Sequence, residues 1–330
     1  MAIDPDHAYL KINIGPNPPF ELRPSPGKGW GAFATRHLAP GDPVFTERPT
    51  AVIQKHASLI TQTDIFNSMR HLSQSERQQV RYLTGSRDSI SLVDLFRESE
   101  FTLSVNPPAH GMFLVLSRFN HSCVPNCRIP SLGGKMDELT IQASRAVRPG
   151  QELTFTYDPI FQFLTAQQRA KLLNFDCKCP ACLSGTVFHQ VSNTRRTLLR
   201  GLYYLVYGKE RETGMPQPAR PLLTYPEMMK KAEDLAIPLS TRFIAVILIA
   251  FLLEEEGLMD PALEESMLPN MNRLAVTFRS WRNAEVASNV MKHTTFLGRF
   301  CAAFKLYGKK DLADRELATV LQESRRNGLL

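Results

Sequence analysis

Residues 118–127 constrain this chain more tightly than any other stretch. They crowd the carboxamide of Asn120, the imidazole of His121, the hydroxyl of Ser122, the thiols of Cys123 and Cys127, and Pro125 into ten positions. An apolar run, 112–116, comes just before them, so polar chemistry is expected at the edge of a core. Taken alone, such a cluster also suits an Asx-type turn whose side chains cap their own backbone. Distant segments weigh against a mere turn. Upstream, Gly27, Lys28, Gly29, Trp30 and Gly31 permit positive φ and close approach of the backbone to a ligand. They do not read as a dinucleotide fingerprint, which needs a strand before the glycines and a helix after them. Downstream come the segment 150–157, ending in Phe155, Thr156 and Tyr157, and then Cys177, Cys179 and Cys182.

At 330 residues the chain has room for a core and an appended unit. A hydrophobic share of 43% with 22% charge belongs to a globular protein. The longest apolar run, 243–253, falls short of the roughly 18 residues a membrane helix needs and reads as a buried helix. Asp4, Pro5 and Asp6 stand where a secretory signal would carry positive charge and then an apolar stretch. An intracellular protein of the cytoplasm or nucleus is expected, and there six cysteines are not expected to pair as disulfides. The net charge of +7 is spread over scattered basic doublets, which gives nucleic acid no continuous stripe to follow.

Apolar spacing divides the chain further. Residues 20–53 read as short strands, with Pro40, Gly41 and Asp42 turning between two of them. Helical spacing takes over in 64–84, where Ile65, Met69 and Leu72 share a face, and Val80 and Leu83 follow a cap at Ser73. The stretch 92–105 reads as another helix, ended by Asn106, Pro107 and Pro108. Strands return at 139–143 and 153–155. After 164 come a helix over 165–175, a thiol-rich knuckle over 177–182, and helices over 197–206, 225–235, 240–256, 271–278, 284–306 and 312–324. Their apolar stripes must stack to be buried.

The thiols carry the sharpest chemical signal. C-x-C-x2-C puts three soft ligands on one loop, whereas a structural zinc site takes four in a tetrahedron. The competing reading is buried thiols acting as small hydrophobes, which suits Cys127 and Cys301.

In this order, the glycine segment, the stretch around Asn120, the strand ending at Tyr157 and the cysteine knuckle resemble the SET-domain protein lysine methyltransferases. The resemblance covers about residues 20–183. It is greatest to the SET-MYND branch, whose SET domain precedes a post-SET segment and a helical region. It implies an α+β fold: small β-sheets with a pseudoknot and a helical insertion, a zinc-binding post-SET loop and an all-α C-terminal domain. The expected divisions are an N-terminal extension over 1–19, the SET domain over 20–163 with its insertion at 55–104, the post-SET segment over 164–183 and the helical domain over 184–330. Residues 54–104 contain no cysteine, so the MYND finger, with its contact to partner or DNA, is absent.

The resemblance also implies roles. S-adenosylmethionine would be cradled by Lys28, Gly29 and Trp30, held by Asn120 and His121, met by Tyr157 and stacked on by Phe175. Cys123 would join Cys177, Cys179 and Cys182 around one structural zinc. Phe155 and Tyr157, two apart on a strand, would line a substrate channel, with Tyr157 catalytic. No general base is needed, since a sulfonium about 6 Å from a lysine ammonium, at an effective dielectric near 20, disfavours it by about 2.8 kcal/mol, or some two pKa units. The implied activity is methyl transfer to a protein lysine by a monomer. Two alternatives stand beside it: a SET scaffold acting on a small metabolite, and a silent SET module that binds partners.

Overall fold

The computed structural model describes residues 5–85, 90–130, 138–207, 241–259 and 263. The chain divides into two compact units, 1–157 and 158–330.

Among the described residues, the first unit has three small sheets around one core. In the first sheet, β1 (Phe20–Ser25) and β2 (Gly29–Ala34) form an antiparallel hairpin, with Ser25 opposite Gly29. Gly27 and Gly29 take φ of 73° and 79°, left-handed values open to glycine at little steric cost. A strand therefore does precede the glycine segment. A second strand follows it instead of a helix, so the dinucleotide reading still fails. The second sheet is β3 (Pro43–Glu47), β9 (Leu139–Ala143) and β8 (Cys127–Arg128), in that spatial order. The third is β4 (Ala51–Ile53), β6 (Pro108–Met112) and β5 (Glu100–Val105). Two short strands complete the first sheet: β10 (Glu152–Phe155) pairs antiparallel with β2 and parallel with β7 (Asn120–His121).

Between β4 and β5 the described residues form three α-helices. α1 (Gln62–Ser68) starts at a capping box of Thr61 and Asp64, and α2 (Gln74–Tyr82) at one of Ser73 and Glu76. α3 (Leu92–Ser99) is capped by Ser91 and stops at Ser99. The helix expected over 92–105 is thus half strand. From Glu100 the chain becomes β5, whose aromatic and β-branched residues pair with β6 across the turn at Asn106 and Pro107. Phe20, Ile65, Phe96, Phe113, Phe119, Ile141 and Leu153, from strands, helices and turns alike, lie in one core with at most 1% of their surface exposed. Each such side chain contributes about 1.5–3 kcal/mol over exposure to water, which holds strands too short to be stable as isolated hairpins.

One carboxylate organises the approach to the 118–127 stretch. Glu47, at the end of β3, accepts the backbone N–H groups of Leu114, Val115 and Leu116 at 2.7–3.1 Å. Burial pushes its carboxyl up, while those three N–H groups and then Arg118 pull it back down. It thereby fixes the 3-10 turn Leu116–Arg118 that leads into Asn120.

In the second unit, α4 (Ala166–Leu172) is capped by Thr165 and Gln168. It ends at Leu172, short of the expected 175, because Leu173 is already extended. α5 (Val187–Tyr207) contains the helix expected at 197–206, and α6 (Thr241–Glu255) closely matches the one expected at 240–256. The helices expected at 225–235, 271–278, 284–306 and 312–324 lie outside the described residues, as does Cys301. Arg196 and Glu256 form an ion pair of 2.9 Å with both side chains fully buried. It is completed by Ser192 Oγ, which donates to Glu256 at 2.7 Å, and by Arg196, which donates to the Phe161 carbonyl at 2.8 Å. No helix among the described residues is long and apolar enough to cross a membrane.

Candidate active site

The parallel pairing of β7 with β10 brings the two most chemically loaded motifs together. Thr154 lies opposite Asn120 and Phe155 opposite His121. The chain beyond β7 stays bound to β10: Ser122 N–H donates to Phe155 O at 3.0 Å and Asn126 N–H to Thr154 O at 3.2 Å. The Asn126 carboxamide donates to Glu152 O at 2.8 Å and accepts from Thr154 N–H at 2.8 Å. Asn126 is therefore a structural clamp.

Asn120 Nδ2 donates to the Trp30 carbonyl at 2.9 Å and to Glu152 Oε1 at 2.7 Å. Two acceptors facing one nitrogen fix the orientation of the amide. Ser25 Oγ also donates to Glu152 Oε1, at 2.8 Å, and Lys28 Nζ reaches Glu152 Oε2 at 2.7 Å. Glycine is required at position 31 by this crowding, since a Cβ there would come within 2.6 Å of Glu152 Oε1 and 2.7 Å of Asn120 Nδ2. Gly31→Ala should thus destabilise the protein by about 1–3 kcal/mol as the cluster is pushed apart. A denaturant titration checks this, and an unchanged midpoint and slope would contradict it. The Trp30 ring faces elsewhere: it stacks on His7 at 4.1 Å between centroids and meets Tyr9 edge-on. Its carbonyl, not its indole, belongs to the polar cluster.

His121 is 2% exposed. Its Nδ1 accepts the Tyr157 N–H at 3.1 Å, so a neutral ring carries its proton on Nε2, which lies 3.2 Å from Cys123 Sγ. Tyr157 OH donates to the Phe119 carbonyl at 3.3 Å. The residue keeps 48% of its surface in solvent, yet burial of the hydroxyl pushes its pKa up to about 12, against the pull of Arg118. The phenol is therefore a donor at neutral pH and no base. Phe155 is buried, its ring 5.1 Å from Tyr157 and stacked on Phe101 at 5.7 Å.

Within the second unit, the sulfurs of Cys177, Cys179 and Cys182 lie within 4.8 Å of one another. A tetrahedron of 2.3 Å zinc–sulfur bonds places sulfurs about 3.8 Å apart, so these three donors suit that metal in softness and spacing. Within the knuckle, buried Arg169 donates to the carbonyls of Leu164 and Ala181, the latter at 2.8 Å, and to Cys182 Sγ at 3.2 Å. Cys127 is fully buried and its thiol is pushed up to about 12 by desolvation, which leaves it a packed, protonated thiol. Phe175, in the second unit just after α4, is 43% exposed.

Ser25, Glu152, Asn126 and Glu47 are the residues that motif reading missed. Glu152 stands two positions before Thr154 on the strand that pairs with β2 and β7, a pairing that only the structure reveals.

Residues 29–158 match the family model described as "SET domain". Histone-lysine N-methyltransferase set5 of Schizosaccharomyces pombe is 25% identical over 183 residues, 54% of this chain and 56% of that protein. Protein-lysine N-methyltransferase SMYD4 of Homo sapiens is 38% identical over 78 residues, covering 22% of this chain and 9% of that one. Histone-lysine N-methyltransferase SMYD3 of Mus musculus is 29% identical over 122 residues, 35% and 27% of the two chains. The match thus spans about half the length of the fission yeast protein and far less of the other two. Over residues 29–158 the chain is therefore similar to SET domains, and the relatives it resembles carry the names of lysine methyltransferases.

Proposed function

We propose that this protein transfers a methyl group from S-adenosylmethionine to the ε-amine of a lysine in a protein substrate. The observation that carries the reading is the β7–β10 pair, which gathers the Asn120 carboxamide, the Trp30 carbonyl and the Tyr157 hydroxyl around one strand. When bound, S-adenosylmethionine supplies an electrophilic methyl on a sulfonium. The chain's own groups then bind and orient. Main-chain groups of the glycine turn and the side chains of Asn120 and Lys28 take the polar methionine end, and Phe175 takes the adenine. Tyr157 aims the methyl and the incoming amine, with Phe155 walling the channel. Orientation of this kind can supply much of the rate, because the reaction is one in-line displacement. Cys123, Cys177, Cys179 and Cys182 are proposed to hold a structural zinc, and the region beyond 184 to form a helical domain.

Asn120 is partly buried and its amide is fixed by two acceptors, whereas Lys28 keeps 30% of its side chain exposed. Asn120→Ala should therefore weaken S-adenosylmethionine binding by about tenfold or more, and by more than Lys28→Ala does. Titration calorimetry measures both. No heat from wild-type protein with millimolar S-adenosylmethionine would defeat the proposal.

A further inference from the structure

Glu152, the first residue of β10, ties three segments of the first unit together. Three donors from separate segments converge on its carboxylate: Ser25 Oγ from β1, Lys28 Nζ from the β1–β2 turn and Asn120 Nδ2 from β7. Only 17% of its side chain is exposed, and β2 is thinned to a glycine at position 31 to let it in. Two of those donors, Lys28 and Asn120, belong to the end of the pocket assigned above to the methionine part of S-adenosylmethionine. We infer that Glu152 is a further cofactor-binding residue, the receptor for the α-ammonium of that methionine part. The inference rests on the S-adenosylmethionine reading.

The argument is one of charge. The α-amino-carboxylate end of the cofactor is a zwitterion, and Lys28 with Glu152 is an ion pair of 2.7 Å. Inserting the zwitterion replaces one ion pair with two, Lys28 with the cofactor carboxylate and Glu152 with the cofactor ammonium, and the net charge at the site does not change. A ligand lacking the ammonium brings its carboxylate to a lysine that already serves Glu152, leaving two carboxylates to share one cation. Like charges at that spacing repel strongly where solvent is scarce. Ser25 and Asn120 keep Glu152 Oε1 anchored throughout, so Oε2 is the oxygen that changes partner. The pair Lys28 and Glu152 would thereby select for an intact amino acid.

The test is calorimetry on the full chain with two probes, S-adenosylmethionine and its analogue bearing hydrogen in place of the α-ammonium. Wild type should bind the analogue about 10- to 100-fold more weakly, the range for losing a charged hydrogen bond. Glu152→Gln keeps the shape and one acceptor. It should bind S-adenosylmethionine about 10-fold or more weakly and bring the two probes within about threefold of each other. Glu152→Asp keeps the charge but shortens the reach and should fall between, which holds the test open if the glutamine variant folds poorly. A ratio as large in both variants as in wild type would overturn the inference while leaving cofactor binding intact. Failure of wild type to bind S-adenosylmethionine at all would overturn the underlying reading and this inference with it.

Discussion

Replacing Tyr157 with Phe should lower turnover by about a hundredfold or more while changing the dissociation constant for S-adenosylmethionine by less than about threefold. The phenyl ring would keep its place against Phe155 and His121, whose rings lie 5.1 Å away. What is lost is the hydroxyl beside the Phe119 carbonyl. Removing one oriented donor that acts in the transition state costs about 10²–10³ in rate. Burial pushes the phenol up to about 12, so at neutral pH it keeps its proton and serves as a donor, not as the base. Activity should instead rise toward about pH 9 as the substrate amine loses its proton. Steady-state kinetics beside calorimetry separates the two effects. Equal losses of turnover and affinity, or no loss at all, would contradict the role given to Tyr157.

Replacing Cys179 with Ser should cut zinc content from about one equivalent per chain to less than about a tenth, and should lower the melting temperature. Cys179 is 7% exposed, and its sulfur lies within 4.8 Å of those of Cys177 and Cys182. Structural zinc sites of this kind bind with about 10–16 kcal/mol, and most of that free energy is also folding free energy. A serine hydroxyl is a harder and less acidic ligand than a thiol, so affinity should fall by orders of magnitude. Arg169 should remain bonded to the Ala181 carbonyl but no longer have an ordered knuckle to brace. Elemental analysis of protein purified without chelator decides the matter. Wild-type protein with less than a tenth of an equivalent would remove the zinc from the account.

The parts of the fold that the sequence made legible are those where local chemistry and tertiary demand agree. The glycines at 27 and 29 sit in a left-handed hairpin turn, Ser73 caps a helix, and Leu139, Ile141 and Ala143 bury alternate positions of one strand. The segment 100–105 misled because it follows α3 without a break and its strand character appears only through its partner, β6. Pairing between strands is a nonlocal fact, which a window of periodicity cannot contain. The candidate site divides the same way. Asn120, His121, Tyr157 and the thiols carry unusual chemistry at their own positions and could be named in advance. Glu47, Ser25, Asn126 and Glu152 are ordinary residues whose importance lies in what they face, up to 127 residues away for Ser25 and Glu152.

The most direct test of the account is to incubate the full chain with methyl-labelled S-adenosylmethionine and, in parallel, histones, a cell lysate and a metabolite extract, and to locate the label by mass spectrometry. Label on the ε-nitrogen of a lysine in a protein, lost when Tyr157→Phe replaces wild type, is the predicted result. Label confined to small molecules, or no transfer by a protein that binds S-adenosylmethionine, would contradict it.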